Sequence, residues 1–410
     1  MFSRLFSRSM ALKRRALGTS AALDATKLRV VQTAERKPRK PKEQLSFGKD
    51  FTDHMLEIEW TETAGWHAPT ITPFHSLQLS PAASSLHYAL QCFEGMKAYK
   101  DAQGRIRLFR PEMNMKRMNN SMQRLTMPSF DGDELIKLLG ELLKLEECWI
   151  PEGDGYSVYI RPSAISTTNV LGLAKVQSVL LYAILCPAGG YFANGFKGVK
   201  LLADTENIRA WPGGVGHAKL GANYGPTVLP GVRGFEEKGA AQVLWLFGED
   251  HLCTEAGTSN VFFVIENAAT RRLELITPPL SRGDILPGVT RDSILTLASG
   301  SDSRFQYDDV HCVERDISMS EILQASKEGR LKEGFGAGAS WRTLPESHHL
   351  LLSQPCLLRP LPPARYCGGG NTHQHHLLQG RGDRLSHGRR GRSDFDKALQ
   401  RHYGHSVWAD

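Results

Sequence analysis

A glycine-dense stretch with a single lysine constrains this chain more than any other feature. It reads Ile208-Arg-Ala-Trp-Pro-Gly-Gly-Val-Gly-His-Ala-Lys219-Leu-Gly-Ala-Asn-Tyr224-Gly-Pro-Thr227, and no acidic residue falls between Glu206 and Glu236. Glycine and proline at this density interrupt helices and strands, so the stretch reads as a loop. Small and apolar neighbours would hold Lys219 close to the backbone and partly dry. A dry lysine with no local carboxylate has a lowered pKa and a larger share of neutral amine, the form that attacks carbonyls. Such a lysine can form a Schiff base, for instance with pyridoxal phosphate. A surface loop with an incidental lysine is the competing reading of this stretch alone.

The 410 residues are enough for two domains with substantial cores, and 41% apolar with 23% charged content fits a mostly globular chain. The net charge of +7 gathers at the two ends, which argues against nucleic-acid binding through a folded basic face. Cys92, Cys148, Cys186, Cys253, Cys312, Cys356 and Cys367 form neither a CxxC nor a disulfide framework, as suits a reducing compartment. The longest apolar run, 179–186, is too short to cross a bilayer, so no membrane partner is expected.

The first 23 residues carry Arg4, Arg8, Lys13, Arg14 and Arg15, with interleaved Leu5, Phe6, Met10, Leu12 and Leu17 and no acid before Asp24. Residues 1–27 therefore read as a mitochondrial transit peptide, pointing to the matrix, against the alternative of a disordered basic tail. Residues 28–44 read as a solvated basic linker. An α+β small domain is expected over 45–188, a linker over 189–198 and a larger mixed α/β domain over 199–338, the lysine loop included.

Within the first domain Leu56, Ile58 and Trp60 alternate as in a strand, and Phe93 to Tyr99 pairs with Ile106 to Phe109 through a turn at Asp101. Pro111 opens a helix carrying Asn114, Met115, Arg117 and Met118. The leucine spacing at 135, 138, 139, 142 and 143 predicts an amphipathic helix. Residues 156–161 and 179–186 read as strands, the second buried on both faces. In the second domain 199–202, 243–247, 260–265 and 273–276 read as strands, and helices follow Pro287 and Ser318.

Glu255 stands in Thr254-Glu-Ala-Gly-Thr-Ser-Asn-Val-Phe-Phe263. A carboxylate before a tight glycine turn and a buried strand would be fixed at the rim of a sheet. Such an acid can keep a cofactor's pyridine nitrogen protonated; an ordinary turn carboxylate would look the same. Leu286-Pro-Gly-Val-Thr290 brings free amides to a helix N-terminus, a ready anion site or ordinary turn chemistry.

In order and spacing, the lysine loop, the Glu255 segment, Leu275-Ile-Thr-Pro-Pro279 and Ile285-Leu-Pro-Gly-Val-Thr-Arg291 resemble the branched-chain amino acid aminotransferases, fold-type IV pyridoxal phosphate enzymes. Phe47-Gly-Lys-Asp-Phe-Thr-Asp-His-Met55, Ser85-Leu-His-Tyr-Ala-Leu-Gln-Cys-Phe-Glu-Gly-Met-Lys97 and Tyr159-Ile-Arg-Pro162 resemble the eukaryotic mitochondrial members. The resemblance covers 45–338. It implies a two-domain fold-type IV architecture and a homodimer. It also implies ping-pong transfer of the amino group of leucine, isoleucine or valine to 2-oxoglutarate, giving glutamate.

The resemblance also implies roles. Lys219 would attach to pyridoxal 5'-phosphate and carry the substrate proton, Tyr224 would bond the cofactor's phenolic oxygen, and Glu255 would pair with the ring nitrogen. Arg117 and the amides of Val289 and Thr290 would bind the phosphate, and Thr258 would help hold the substrate carboxylate. Phe47, Tyr88, Phe93, Tyr159 and Tyr191 would line an apolar pocket, with Arg161 serving glutamate's distal carboxylate; each aromatic alone reads equally as core.

The chain departs from the family after Phe335-Gly-Ala-Gly338. Ala339 stands where a phosphate-binding threonine is expected, and the family's CxxC beyond it is absent. From residue 340 eight of the 15 histidines cluster and arginine outnumbers lysine nine to one. The tail over 339–410 reads as a shifted reading frame or an authentic divergent, disordered end. Neither Thr372-His-Gln-His-His376 nor Arg381-Gly-Asp383 reads as a metal or adhesion site. Competing readings of the whole are a D-amino-acid aminotransferase, an aminodeoxychorismate lyase, or an inactive homologue.

Overall fold

The computed structural model describes residues 21–153, 155–189, 198–299 and 310–338. They form two compact units. The first runs over 21–189 and also takes in Pro212–Pro226; the second takes 198–211 and 227 onward. The lysine loop, expected in the second domain, therefore groups with the first.

The first unit is built on a nine-stranded sheet. In chain order its strands are β1 (Arg29–Val30), β2 (His54–Thr61), β3 (Gly65–Trp66), β4 (Thr70–Pro73), β5 (Gln91–Phe93), β6 (Met96–Lys100), β7 (Ile106–Leu108), β8 (Ser157–Ser166) and β9 (Ser178–Ala188). They lie in the order β1-β4-β2-β9-β8-β6-β7, with β3 on β2 and β5 on β8. Three helices accompany them: α1 (Ser84–Tyr88), α2 (Pro111–Arg124) and α3 (Gly132–Leu145).

The leucine spacing produces α3 as expected. The Asp131 side chain accepts from the Asp133 N–H at its start, and Leu135, Leu138, Leu139, Leu142 and Leu143 bury one face against β2. Each buried leucine contributes about 1.5–3 kcal/mol. Pro111 does occupy the first turn of α2, whose Met115, Met118 and Met122 enter the same core. The strand expected over 93–99 is interrupted at Glu94–Gly95, so only β6 pairs with β7. β9 is not buried on both faces throughout: Leu180, Tyr182 and Ile184 are half-buried and alternate with buried Val179, Leu181, Ala183 and Leu185. An antiparallel strand between β2 and β8 can keep one face partly open, which a run of apolar letters does not reveal.

The basic stretch expected to be a solvated linker is docked on this unit. Arg36 bridges Asp53 at 3.3 Å and Glu146 at 3.2 Å, both buried carboxylates. Lys37 donates to the carbonyl of Thr52 at 2.9 Å, and Arg39 to that of Cys148 at 2.5 Å. The Thr33 N–H donates to His54 Nε2 at 2.9 Å, and His54 Nδ1 stands 2.5 Å from Glu146. Residues 21–27, expected as the end of the leader, pack here too: Leu23 is buried and the Ala25 N–H donates to Glu134. The first 20 residues, Tyr191 and the tail from 339 lie outside the described residues.

The second unit holds a seven-stranded sheet of β10 (Leu201–Asp204), β11 (Gln242–Phe247), β12 (Leu252–Ala256), β13 (Ser259–Glu266), β14 (Leu273–Thr277), β15 (Val310–Glu314) and β16 (Leu331–Ala337). They run β10 to β15 in sequence order, and β16 pairs with β13. Its helices are α4 (Val228–Lys238), α5 (Val289–Ala298) and α6 (Met319–Lys327). β13 is buried on both faces: Val261, Phe263 and Ile265 share a core with Ile322 and Ala325 of α6, while Phe262 packs with Ile294 and Ala298 of α5. Pro287 and Ser318 precede α5 and α6 as expected, and the Ser318 hydroxyl caps α6 by accepting from the Glu321 N–H. α4 had no sequence signature, because Pro230, Gly231 and Gly234 are poor helix formers.

Candidate active site

Lys219 is held by its backbone from two sides. Its N–H donates to the Ser121 hydroxyl of α2 at 2.8 Å, and its carbonyl accepts from the Phe93 N–H at 3.1 Å. The next residue, Leu220, bridges to Cys92 of β5. Below it Asn223 donates to the carbonyls of Val215 and Ala218, which closes the loop on itself. A Cβ on Gly221 would stand 2.7 Å from the Gln91 side-chain amide, so glycine here lets the loop lie against β5 without displacing that side chain. The glycine-rich sequence thus serves close packing on the sheet.

The amine end is half-buried among aromatic rings. Nζ lies 3.0 Å from the Tyr224 hydroxyl, 4.8 Å from the Phe93 ring centre and 5.1 Å from that of Tyr224. The expectation that no carboxylate lies near it fails in three dimensions. Glu94, fully buried, feels the charge of Lys219. Burial alone would push the Glu94 carboxyl up; the charge and hydrogen bonds of Arg117, then Lys219 and the Asn114 amide, outweigh it and bring it below its ordinary value.

α2 carries two stripes. Met115, Met118 and Met122 go to the core, while Asn114, Arg117 and Ser121, one residue behind, form a second stripe that is polar and equally buried. Arg117 donates from Nε to Glu94 Oε1 at 2.7 Å and from Nη2 to Oε2 at 2.8 Å; Asn114 donates to Oε2 at 2.8 Å. Burial works against the Arg117 charge, and Glu94 more than restores it, so the guanidinium stays charged. Glu94, Asn114 and Ser121 are site residues that the sequence reading missed. The i, i+3, i+7 spacing of polar letters beside an apolar stripe was the available signal for the last two.

Tyr159 and Arg161 alternate with core-facing Val158 and Ile160, so they share the other face of β8. Arg161 donates to the Tyr159 hydroxyl at 3.1 Å and stacks 4.6 Å over Phe93. Its Nε is buried without a hydrogen-bond partner. Phe47 meets Tyr159 edge-on at 4.9 Å, and Phe93 meets Tyr224 at 4.9 Å. A Cβ on Gly95 would stand 1.9 Å from the Tyr159 hydroxyl, so this position must be glycine. Phe47, Phe93, Tyr159, Arg161, Lys219 and Tyr224 therefore form one connected group. Tyr88 stands apart from it in these contacts: it is exposed and its hydroxyl bonds the Leu171 carbonyl.

The second unit carries the other predicted residues. Glu255 lies near the end of the interior strand β12, not at a sheet rim, and is 2% exposed. Its Oε2 stands 2.6 Å from Arg209, and its Oε1 accepts from Asn260 at 3.0 Å and from the Leu286 N–H at 3.3 Å. Asn260 also donates to the Leu286 carbonyl, which ties the hairpin to the loop before α5. A Cβ on Gly288 would meet Asn260 at 2.0 Å. Val289 and Thr290 open α5, whose N-cap Gly288 offers no side chain to bond their amides. Thr258 lies in the β12–β13 turn beside Gly257, whose φ of +56° favours glycine, and is exposed. Arg209 and Asn260 were not anticipated as partners of Glu255. Among the described residues no cluster of His, Cys, Asp and Glu could hold a metal.

Residues 91–327 match the family model described as amino-transferase class IV. The chain is 49% identical over 322 residues to the cytosolic branched-chain-amino-acid aminotransferase of Saccharomyces cerevisiae, covering 78% of this chain and 84% of that protein. It is 46% identical over 328 residues to the mitochondrial enzyme of Mus musculus, covering 80% and 81%. The fold is similar to the branched-chain amino acid aminotransferase of Thermobaculum terrenum in its PLP form, at TM-score 0.54, 22% identity and coverage of 70% and 82%. It is also similar to that of Thermoproteus uzoniensis with norvaline, at TM-score 0.54, 21% identity and coverage of 69% and 84%.

Proposed function

The chain belongs to the class IV aminotransferases, among the branched-chain amino acid enzymes, and from that premise we propose how its own residues carry the reaction. It is a pyridoxal 5'-phosphate-dependent aminotransferase that moves the amino group of leucine, isoleucine or valine to 2-oxoglutarate in alternating half-reactions. The observation that carries the residue assignment is the Lys219 amine, anchored through its backbone and set 3.0 Å from the Tyr224 hydroxyl.

The residues present fit the cofactor. Lys219 offers an amine among rings, Tyr224 a hydroxyl and Arg117 a buried guanidinium; Glu255 offers a buried carboxylate, and Val289 and Thr290 first-turn amides. When bound, pyridoxal phosphate supplies a conjugated ring that takes up the electron pair left at the substrate Cα.

The protein does the rest. Lys219 Nζ, once displaced by the substrate amine, would accept the Cα proton and return it to the carbon on the far side of the substrate nitrogen, two atoms along. The Tyr224 hydroxyl orients Nζ and bonds the cofactor's phenolic oxygen. Glu255, braced by Arg209 and Asn260, holds a proton on the ring nitrogen. Arg117 and the Val289 and Thr290 amides bind phosphate, and Thr258 helps hold the substrate carboxylate. Phe47, Phe93 and Tyr159 bury the branched alkyl group. Arg161, with an unpaired buried Nε, takes the distal carboxylate of glutamate or 2-oxoglutarate. One wall thus serves both substrates, because an alkyl group needs burial and a carboxylate needs one charged partner.

We also propose a homodimer, from the family resemblance, and the matrix as location, from the basic residues within the first 20. Relatives named mitochondrial support the second, although a cytosolic relative is equally similar. No helix among the described residues is long and apolar enough to cross a membrane. The deciding experiment incubates the purified chain, loaded with pyridoxal phosphate, with leucine and 2-oxoglutarate, and separately with D-alanine. Glutamate from leucine alone is expected. Glutamate from D-alanine only, or none from folded protein, overturns the reading.

A further inference from the structure

Arg117 reaches its position through a residue that none of the roles above uses. The Glu94 carboxylate is wholly buried and receives four donors: Arg117 Nε on Oε1, and Arg117 Nη2, Asn114 Nδ2 and the Gly95 N–H on Oε2. Its own backbone is fixed, because the Glu94 N–H donates to the Pro162 carbonyl at 2.8 Å and Gly95 has no room for a side chain beneath Tyr159. Both the carboxylate and its mount are therefore rigid.

We propose that Glu94 is the positioning residue for the cofactor's phosphate: it locks the guanidinium plane of Arg117 in the orientation that receives the anion. This rests on the reading of Arg117 as a phosphate ligand. An arginine has many rotamers, and fixing them before the ligand arrives lowers the cost of binding. A two-bond fork fixes the plane as well as the charge, which a single contact cannot do. The same carboxylate couples this orientation to the lysine, whose charge it feels and whose loop is bonded to the residue before it, Phe93. Asn114 fixes the remaining freedom by donating to both Glu94 and the Gly95 carbonyl.

The sign of the effect separates positioning from simple charge balance. A negative charge beside a phosphate repels it, so removing that charge should tighten phosphate binding if Glu94 only neutralises Arg117. Loss of orientation should weaken it. The test measures dissociation constants for pyridoxal phosphate and for pyridoxal, which lacks the phosphate, by cofactor absorbance on the full chain and on Glu94→Gln. The wild-type chain is expected to prefer pyridoxal phosphate. Glu94→Gln should cut that preference about tenfold while pyridoxal affinity stays within about twofold.

An unchanged or larger preference, or equal weakening for both ligands, overturns the proposal. A wild-type chain with no preference instead overturns the Arg117 reading on which it rests. If Glu94→Gln does not fold, Asn114→Ala keeps the ion pair and removes one clamp. It should reduce the preference by about threefold, and an unchanged preference there overturns the proposal.

Discussion

The two halves of the machinery are assembled in opposite ways. Lys219 sits on a loop and owes its position to distant residues: Ser121 lies 98 positions away and Phe93 still further. Glu255 sits in an interior strand and is braced mostly from nearby, by Asn260 five positions on and Leu286 31 positions on. The lysine is held by its backbone while its side chain projects among rings, which suits the mobile role proposed for it. The carboxylate is held by hydrogen bonds on Oε1 and an ion pair on Oε2, which suits the fixed charge proposed for it. A loop supplies the first and a sheet the second.

This contrast breaks most sharply at the lysine itself. Lys219→Ala should lower leucine-dependent glutamate formation by about 10⁴-fold or more while thermal stability stays close to wild type, since the half-exposed amine contributes little to the core. Glu255→Ala should do the reverse as well as impair activity. It leaves Arg209 buried without its carboxylate and should cost about 3–5 kcal/mol in denaturant unfolding. A stable Glu255→Ala protein would erase the distinction between the two halves.

Ser121→Ala sharpens the comparison. It removes the acceptor for the Lys219 N–H, which should cost about 1–2 kcal/mol of stability and lower kcat about tenfold through misplacement of the amine. A kcat unaffected by this change would mean that the loop holds its own shape.

The smallest effect concerns the basic stretch before β2, where Arg36 bridges Asp53 and Glu146. Burial would raise Asp53, but the Lys37 N–H, the Trp149 indole and Arg36 together hold it below its ordinary value. A depressed folded-state pKa means stability that is complete above the unfolded value of about 4 and lost as pH falls below it. Arg36→Ala should remove about 1 kcal/mol at neutral pH and flatten that acid limb, measured by thermal melts from pH 7 to 3.

Legibility followed the range of the contacts. The α3 leucines, Pro111 at the start of α2 and Ser318 ahead of α6 act within one or two turns, and all three read correctly from the letters. Arg36, Lys37 and Arg39 looked like solvent-bound charge because their partners Asp53, Glu146 and Cys148 are 16 to 110 residues away. Glu94 carries no local signature, since nothing in the neighbouring sequence marks a carboxylate that will be buried under an arginine 23 positions on. α4 went unread because packing on β11 outweighs the poor propensities of its proline and glycines.

By itself the sequence determined the family, the order of most helices and strands, and the residue types able to hold an amine, an anion and a pyridine nitrogen. Motif order and local periodicity carry that information, because they are written within a few residues of one another. Tertiary structure alone decided that the buried Glu94 feels the charge of Lys219, that Glu94, held by Asn114, clamps Arg117, and that Glu255 is braced by Arg209. Those pairings depend on which strands lie side by side and on which face of α2 turns to the sheet. Such long-range geometry is set by the burial of the whole core and not by any single stretch of chain.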